Sequence, residues 1–286
     1  MIRTPLTDLL GISCPIIQTG MGYVAGARLA AATSRAGGLG VIASATMSTD
    51  ELRSAIKEVK ERTSAPFGVN LRADAPDAGE RVDVIIAEQV PVASFALAPK
   101  PELISRLRDA GVITIASVGA RRHAEKVAAW GVDAMIATGG EGGGHTGPVP
   151  TSLLIPQIVD AVSIPVIAAG GFFDGRGLVR SARSAAAFRG VSGLTWPDMI
   201  RQGRAMRRGS ELTWGQVLMA ANTPMLLRAA MVDGRPDLGL MSAGQVAGLI
   251  DDLPSCAELI ERIMAEAGQS LRHLGRLGGD EAAGAG

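Results

Sequence analysis

Several residue types are scarce in this chain, and each scarcity removes a class of protein. Cys14 and Cys256 are the only cysteines, and their spacing matches neither a disulfide framework nor a zinc or redox motif. No set of His, Cys or carboxylate residues has metal-ligand spacing, so we expect no metal. Lys plus Arg and Asp plus Glu both number 28, and no basic stripe indicates nucleic acid binding.

Long apolar runs are also missing. No uninterrupted run reaches the ~18 residues that a membrane helix needs, and the N-terminus Met1–Asp8 lacks the apolar region of a signal peptide. Aromatic residues make up only 3% of the 286 residues. We therefore expect a soluble, cytoplasmic protein with no membrane segment.

Glycine, in contrast, is abundant at 37 residues, and it concentrates in Thr138–Gly147. This loop follows an apolar run and precedes a helix-like segment that opens near Pro150. Glycines let backbone N–H groups approach a flat or anionic ligand closely, and His145 is the one group in the loop that titrates near neutrality. The pattern predicts a cofactor site with one imidazole. A flexible loop with a surface histidine is the alternative.

Short apolar runs alternate with amphipathic helical segments along the first 170 residues. Runs of this length and continuity are typical of buried parallel strands, and the alternation indicates repeated βα units. The seven runs are Pro15–Gln18, Leu39–Ala43, Phe67–Leu71, Val92–Leu97, Val112–Ala116, Ala134–Ala137 and Pro165–Ala169. The sequence therefore predicts a TIM-barrel-type (β/α)8 fold that lacks strand eight.

The C-terminal part contains no further apolar strand run, and its pattern is helical. We expect helices at Trp196–Gly209, from Ser210 or Thr213 to Ala221, at Pro224–Val232, and from about Pro254 to Leu274, the last with a capping box formed by Ser255 and Glu258. We predict one domain over residues 1–274, with a helical C-terminal segment from about 194 to 274 and a disordered tail at 275–286.

Three further positions lie at the carboxyl ends of predicted strands, where a barrel binds its ligands. The spacing of Gly20, Gly22 and Gly26 is one residue too long for a dinucleotide motif, so we expect a tight strand-to-helix turn. Asn70 interrupts an apolar run, and a buried amide needs hydrogen-bond partners. Gly170–Gly171, followed by Asp174–Gly177, could donate backbone N–H groups to a phosphate.

Five motifs stand in one order between residues 5 and 177: Gln18–Gly22, Ala36–Gly40, Pro66–Asn70, Gly140–Gly147 and Ala168–Gly177. Together they resemble the nitronate monooxygenase (2-nitropropane dioxygenase) family, which is FMN-dependent and built on a TIM barrel. The segment Ala243–Asp252 is similar to the C-terminal region of that family. Within it, the chain most resembles the branch of hydroxy-methyl-oxo-octahydroindene-carboxyl-CoA dehydrogenases, which is assigned to degradation of the steroid C and D rings.

The resemblance implies a role for each matched position. The flavin would be held by Met21, Gly22, Asn70, Thr138, Gly143, Gly144, Gly170 and Gly171, and His145 would be the catalytic imidazole. Thr138 replaces the family's usual Gln at the start of the glycine motif, and Gly142 replaces an Ala. The family's strand eight and its following phosphate loop have no counterpart, which implies that several tens of residues are missing between about Val179 and Trp196.

We therefore expect an FMN-dependent oxidoreductase that dehydrogenates or reduces a bicyclic steroid-derived acyl-CoA thioester, with His145 as the base. A nitronate monooxygenase that oxidises alkyl nitronates with O2 is the alternative. A flavin-deficient, inactive remnant is a second one, because of the missing strand. A non-flavin aldolase-type barrel is disfavoured, since no lysine lies in a predicted strand. Candidate rim contacts for phosphate groups are Lys100, Arg121, Arg122 and Lys126, and a homodimer is left open.

Overall fold

The computed structural model describes residues 2–96, 99–144, 146–177, 228, 230–235 and 243–279. The chain divides into two compact units, Met1–Ala185 with Ala243–Gly286, and Ala186–Ser242. The strands and sites discussed below all belong to the first unit. The helices predicted between Trp196 and Ala221 lie outside the described residues, and the single domain predicted for residues 1–274 stays a prediction.

One parallel sheet organises the first unit. Its seven strands pair in sequence order, each with the next, and the sheet curls with helices on its outer side as in a TIM barrel. The strands are β1 Ile17–Gln18, β2 Leu39–Ala43, β3 Phe67–Leu71, β4 Val92–Phe95, β5 Ile113–Val118, β6 Ala134–Thr138 and β7 Val166–Ala169. The predicted fold class is thereby confirmed. In the part of the chain that the structure describes, no eighth strand joins β7 to β1.

Helices follow the strands in the order that the sequence pattern predicts. They are α1 Pro5–Leu10, α2 Ala27–Arg35, α3 Thr49–Arg62, α4 Ala78–Ala87, α5 Pro101–Asp109, α6 Arg121–Ala129, α7 Thr151–Val159 and a C-terminal helix, α8, at Cys256–Gly279. Two 3₁₀ turns, Ser44–Thr46 and Gln245–Leu249, complete the described elements. None of the helices within the described ranges is long and apolar enough to span a bilayer.

Local capping explains where α8 begins. The backbone N–H of Ser255 donates to the Glu258 carboxylate at 2.8 Å, and the N–H of Glu258 donates to the Ser255 hydroxyl at 3.3 Å, which confirms the predicted capping box. The helix continues to Gly279, past the predicted end at Leu274. The helix thus overlaps the first residues of the disordered tail expected at 275–286, and residues 280–286 lie outside the described ones, so the tail stays a prediction.

The inner strands of the sheet are largely buried on both faces, the edge strands β1 and β7 only partly, and two apolar clusters divide the side chains. Ile42 belongs to the outer cluster beneath the helices, whereas its neighbour Val41 belongs to the inner cluster that fills the curl of the sheet. Leu6 and Leu10 of α1 join the inner cluster together with Leu39, at the beginning of β2. Helix α1 thus covers the amino ends of the strands, so ligands can approach from the carboxyl ends.

Helix α8 packs beside the first βα unit and beside the segment that follows β7. Ile260 and Ala267 are buried, and a Cβ at Gly38 would lie 3.5 Å from Ile260 Cδ1. At the other side, the N–H of Gly175 donates to the Glu266 carboxylate at 2.9 Å. The helix therefore contacts the chain just before β2 and in the turn after β7.

Candidate active site

Asn70 and Gly20 form the first part of the candidate site, at the carboxyl ends of β1 and β3. Asn70 is 8% exposed, and its Nδ2 donates to the carbonyl and hydroxyl oxygens of Ser94 over long contacts of 3.4 Å. No described residue donates a hydrogen bond to Asn70 Oδ1. Because buried amide oxygens rarely lack a donor, this oxygen is available to a ligand.

Close packing after β1 requires a glycine at position 20 and leaves little room for a side chain at position 22. A Cβ at Gly20 would lie only 2.4 Å from Asn70 Cβ, and one at Gly22 would lie 3.3 Å from Thr46 Cγ2. Met21, between them, is 40% exposed. The structure thus places Met21, Gly22 and Asn70 in one neighbourhood, as the resemblance implies, and the tight turn expected after β1 is present.

A buried arginine supports this neighbourhood, and the sequence pattern did not single it out. Arg81 of α4 is 6% exposed and donates to the carbonyl oxygens of Ser44 and Met47 and to the Asp77 carboxylate. The Ser44 hydroxyl in turn donates to the Asn70 carbonyl oxygen at 2.7 Å. The hydrogen bond from Arg81 lowers the pKa of Asp77, which keeps the pair charged. Arg81 thereby fixes the turn next to Asn70.

The glycine-rich loop after β6 forms the second part of the candidate site. Thr138 ends β6, and a Cβ at Gly142 would lie 3.2 Å from Thr138 Cγ2. A Cβ at Gly139 would lie 2.0 Å from Thr151 Oγ1, so helix α7 contacts the loop backbone directly. Gly144 has a φ of +81°, which favours glycine. His145 lies outside the described residues, and its catalytic role stays a prediction.

Glu141 ties this loop to the first turn of α7. Its carboxylate accepts hydrogen bonds from the Thr151 N–H at 2.8 Å and from the Thr151 hydroxyl at 2.6 Å. Burial by itself would raise the pKa of Glu141, but the hydrogen bonds from Thr151 outweigh it and lower the pKa. The charged carboxylate also suits the positive end of the helix dipole.

Gly170 and Gly171, at the end of β7, come close to the same loop. Their φ angles are +103° and +79°, and a Cβ at Gly170 would lie 2.8 Å from Thr151 Oγ1 and 3.1 Å from the Gly142 nitrogen. Thr138 and Ala169 are paired in register. The residues assigned to the flavin at β6 and β7 are therefore neighbours.

The turn after Gly171 differs from what the sequence suggests. The Gly175 N–H donates to the Glu266 carboxylate at 2.9 Å, and the Gly177 N–H donates to the Asp174 carboxylate at 2.7 Å. Two N–H groups expected to bind a phosphate are thus already satisfied by carboxylates, which also repel anions. The expectation that Asp174–Gly177 contributes to the phosphate site is corrected, and Gly170–Gly171 remains as the candidate.

The C-terminal segment contacts the glycine-rich loop, a contact that sequence reasoning missed. The Gln245 N–H donates to the Glu141 carbonyl oxygen at 3.0 Å. A Cβ at Gly244 would lie 3.0 Å from that oxygen and 3.2 Å from the Gly143 nitrogen. The sequence shows that Ala243–Asp252 resembles the C-terminal region of the family. It does not show that this segment contacts the glycine-rich loop.

Three of the four cationic rim residues have partners of their own. Arg121 pairs with Glu125 at 2.8 Å, and the Arg122 Nε lies 3.3 Å from His123 Nε2. The ammonium of Lys126 lies 5.1 Å from the centre of the Trp130 ring, in a cation–π contact. The role of these side chains at a phosphate stays a prediction.

These features fit a flavin in the candidate site. The free, buried Oδ1 of Asn70 can accept a hydrogen bond from a ring N–H group. The close packing at Gly20 and the positive φ angles of Gly170 and Gly171 leave bare backbone at two places on the same edge of the sheet. Met21, which is 40% exposed, adds apolar surface beside these groups, as the site of a flat ring system requires.

Comparison with known proteins identifies the family of the chain and several relatives. The family model of nitronate monooxygenase matches residues 3–82 and 78–194. The chain is 51% identical to the (3aS,4S,5R,7aS)-5-hydroxy-7a-methyl-1-oxo-octahydro-1H-indene-4-carboxyl-CoA dehydrogenase of Mycobacterium tuberculosis, over 93% of this chain and 96% of the relative. It is 45% identical to the Rhodococcus jostii protein of the same name, over 96% and 99% of the two chains. Among solved structures, FabK from Thermotoga maritima is 34% identical, with a TM-score of 0.83 over 96% of this chain and 99% of that one.

The lengths of these alignments bear on the missing strand. The first alignment extends over 341 positions and the second over 348, whereas the chain has 286 residues. Several tens of positions in each relative therefore have no counterpart here, as the resemblance implies. Their location between about Val179 and Trp196 stays a prediction.

Proposed function

The chain belongs to the nitronate monooxygenase family and is a flavin-dependent oxidoreductase, and we propose that it dehydrogenates the CoA thioester of a bicyclic hydroxy-oxo-indane carboxylic acid. The observation that carries the proposal is the identity of 51% and 45%, along almost the whole chain, to two dehydrogenases named for that substrate. Its support in the structure is the pair of flavin-compatible surfaces around Asn70 and Gly170.

We assign FMN as the flavin. Asn70 would hold the polar edge of the ring, Met21 and Gly22 would lie along it, and the backbone of Gly170 and Gly171 would face the phosphate. Thr138, Gly143 and Gly144 would line the other side. When bound, FMN supplies a hydride acceptor, and the protein contributes binding, orientation and electrostatics.

His145 is the proposed base. A thioester carbonyl acidifies the proton on its α-carbon, and a neutral imidazole, with an ordinary pKa of about 6.5, can accept that proton near neutral pH. Gly144 and Glu141 lie just before it in the loop, and Glu141 holds the loop against α7. The loop would thereby keep the imidazole at a fixed place beside the substrate.

Replacing His145 tests this assignment. His145→Asn should retain bound flavin, because the imidazole is not assigned to its binding, and should lose turnover by about 100-fold or more. Flavin content by absorbance and steady-state turnover are the measurements. A variant that works at the parental rate would exclude His145 as the base.

The substrate is tested by anaerobic reduction of the bound flavin. We expect the bicyclic acyl-CoA to bleach the flavin absorbance while propyl-2-nitronate does not. The opposite result would favour the second candidate, a nitronate monooxygenase, in which His145 would take a proton from the nitro compound. Protein that purifies without flavin and does not bind added FMN would support an inactive remnant. The homodimer and the cytoplasmic location stay predictions.

A further inference from the structure

A groove of about 670 Å³ lies between α2 and α3, on the outer side of the sheet. Three arginines, Arg28, Arg35 and Arg62, line it together with one carboxylate, that of Glu58. Val24 and Gly26 line it as well, and they follow closely on Gly22, so one end of the groove adjoins the candidate active site. The sequence pattern did not single out any of these charged residues.

The charge of the groove is unbalanced. Arg62 pairs with Glu58 at 2.8 Å, but neither Arg28 nor Arg35 has an ion pair or hydrogen bond with any described residue. Both are exposed, and they lie seven residues apart on α2, which places them two turns apart on one face. Helix α2 contains no carboxylate. A chain with a formal net charge of zero thus concentrates uncompensated positive charge along one groove.

We propose that this groove binds the nucleotide end of the coenzyme A thioester, with Arg28 and Arg35 contacting its phosphates. The inference rests on the proposed function. Coenzyme A carries a diphosphate and a ribose phosphate on either side of one sugar, which matches two cations spaced along a helix. Guanidinium groups bind phosphate oxygens in a bidentate manner.

The remaining lining suits the less polar parts of the same ligand. Val24, Leu29 and Ala32 offer apolar surface for the adenine ring and the pantetheine chain. Because Val24 and Gly26 lie next to the turn that follows β1, the pantetheine chain can run from the groove toward Gly22, and the thioester would lie at the mouth of the barrel. In this arrangement the groove binds the coenzyme A part of the substrate, whereas the reaction takes place on the acyl part at the mouth of the barrel.

Two of the cations that the sequence suggested are less suited to the same ligand. Arg121 is paired with Glu125, and the ammonium of Lys126 lies over the Trp130 ring. Binding a phosphate at either would first require breaking an existing contact, whereas Arg28 and Arg35 have none to break among the described residues. The two locations can be compared directly, since each offers a pair of arginines.

Binding of coenzyme A and of 3′,5′-ADP to the flavin-loaded protein tests the proposal. Isothermal calorimetry would compare the parent, the Arg28→Ala/Arg35→Ala variant and the matched Arg121→Ala/Arg122→Ala variant. We expect the groove variant to weaken both ligands about tenfold and the rim variant to change them less than about twofold. The parental affinity should fall as salt is raised, because exposed charges are screened. Unchanged binding in the groove variant, or a loss confined to the rim variant, would overturn the proposal.

Kinetics separate this inference from the proposed function. With the acyl-CoA, the groove variant should raise KM and leave kcat near the parental value; with the N-acetylcysteamine thioester of the same acid, neither constant should change. An equal loss with both thioesters contradicts a role in carrier binding. If the acyl-CoA is not turned over at all, the proposed function fails while the calorimetry still decides the groove. An Arg28→Lys/Arg35→Lys variant, which keeps the charge, should retain part of the affinity and guards against a folding defect.

Discussion

Gly20 and Asn70 are packed so closely that a Cβ on Gly20 would lie 2.4 Å from the Cβ of Asn70. The first residue belongs to the turn after β1, and the second is the buried amide of β3. The contact fixes the amide from one side, while the Ser44 hydroxyl holds the backbone carbonyl of Asn70. The Asn70 side chain can therefore take this position only because residue 20 has no side chain.

Gly20→Ala should therefore displace Asn70 and weaken flavin binding. The new methyl group meets a Cβ, which cannot rotate away, so the backbone must move at a cost of about 1–3 kcal/mol. We expect a lower melting temperature and a flavin Kd raised about tenfold, measured by fluorescence titration. Gly248→Ala is the matched control, because a Cβ there meets nothing within 4 Å. Equal behaviour of the two variants would show that the contact is unimportant.

Arg81→Ala should destabilise the fold far more than removal of a surface arginine. The substitution leaves two carbonyl oxygens and the Asp77 carboxylate without their donor, at a cost of about 3 kcal/mol in the free energy of unfolding. Denaturant unfolding measures the change. Arg106→Ala, which removes an exposed pair with Asp83, is the control and should cost less than about 1 kcal/mol. If Arg81→Ala lowers the free energy of unfolding no more than Arg106→Ala does, the buried hydrogen bonds of Arg81 contribute little to stability.

The tie between Glu141 and Thr151 should make stability depend on pH. The folded protein lowers the pKa of Glu141 from its ordinary 4.5, so the charged form is favoured by folding. This contribution is fully present above pH 4.5 and is lost as the pH falls through the lower folded value.

Comparison with Glu141→Gln isolates this effect from the other carboxylates. The difference in melting temperature between the parent and the variant should be largest near neutral pH and should shrink below about pH 4.5. Thr151→Val should reduce the pH dependence of the parent, because it removes one of the two donors. A difference that stays constant from pH 7 to the acid range would contradict the assignment.

Restoring an eighth βα unit should raise flavin occupancy and the melting temperature together. The described part of the phosphate site offers Gly170 and Gly171 alone, since Glu266 and Asp174 take the N–H groups of the next turn. A missing loop would remove about two or three charge-assisted hydrogen bonds, each worth about 1.5–3 kcal/mol. The measurement compares this chain with one that carries the corresponding segment of a full-length relative after Val179. If the present chain purifies fully loaded with flavin and melts at the same temperature as the restored chain, the prediction is refuted.

Much of this architecture follows from local patterns. The runs Leu39–Ala43 and Phe67–Leu71 have the bounds that the sequence predicts, because the continuity of a strand involves only neighbouring residues. The capping box of Ser255 and Glu258 is equally local. The missing strand and the glycine-rich loop after β6 could be found in the same way. So could the polar interruption at Asn70, from which we predict a ligand site because a buried amide needs a partner.

Other features were decided by the tertiary structure alone. In the sequence Arg81 resembles any other helical arginine. Only the fold brings the carbonyl oxygen of Ser44, which is distant in the chain, within hydrogen-bond distance of its guanidinium group. Glu266 takes the Gly175 N–H across 91 positions of sequence, and so changes an expected phosphate donor into a helix contact. Arg28 and Arg62 meet in one groove only because α2 and α3 pack together. Periodicity and capping act within a few residues and can be read from the chain, whereas the partner of a buried or charged group is set by which distant segments the fold brings within a few ångströms of it.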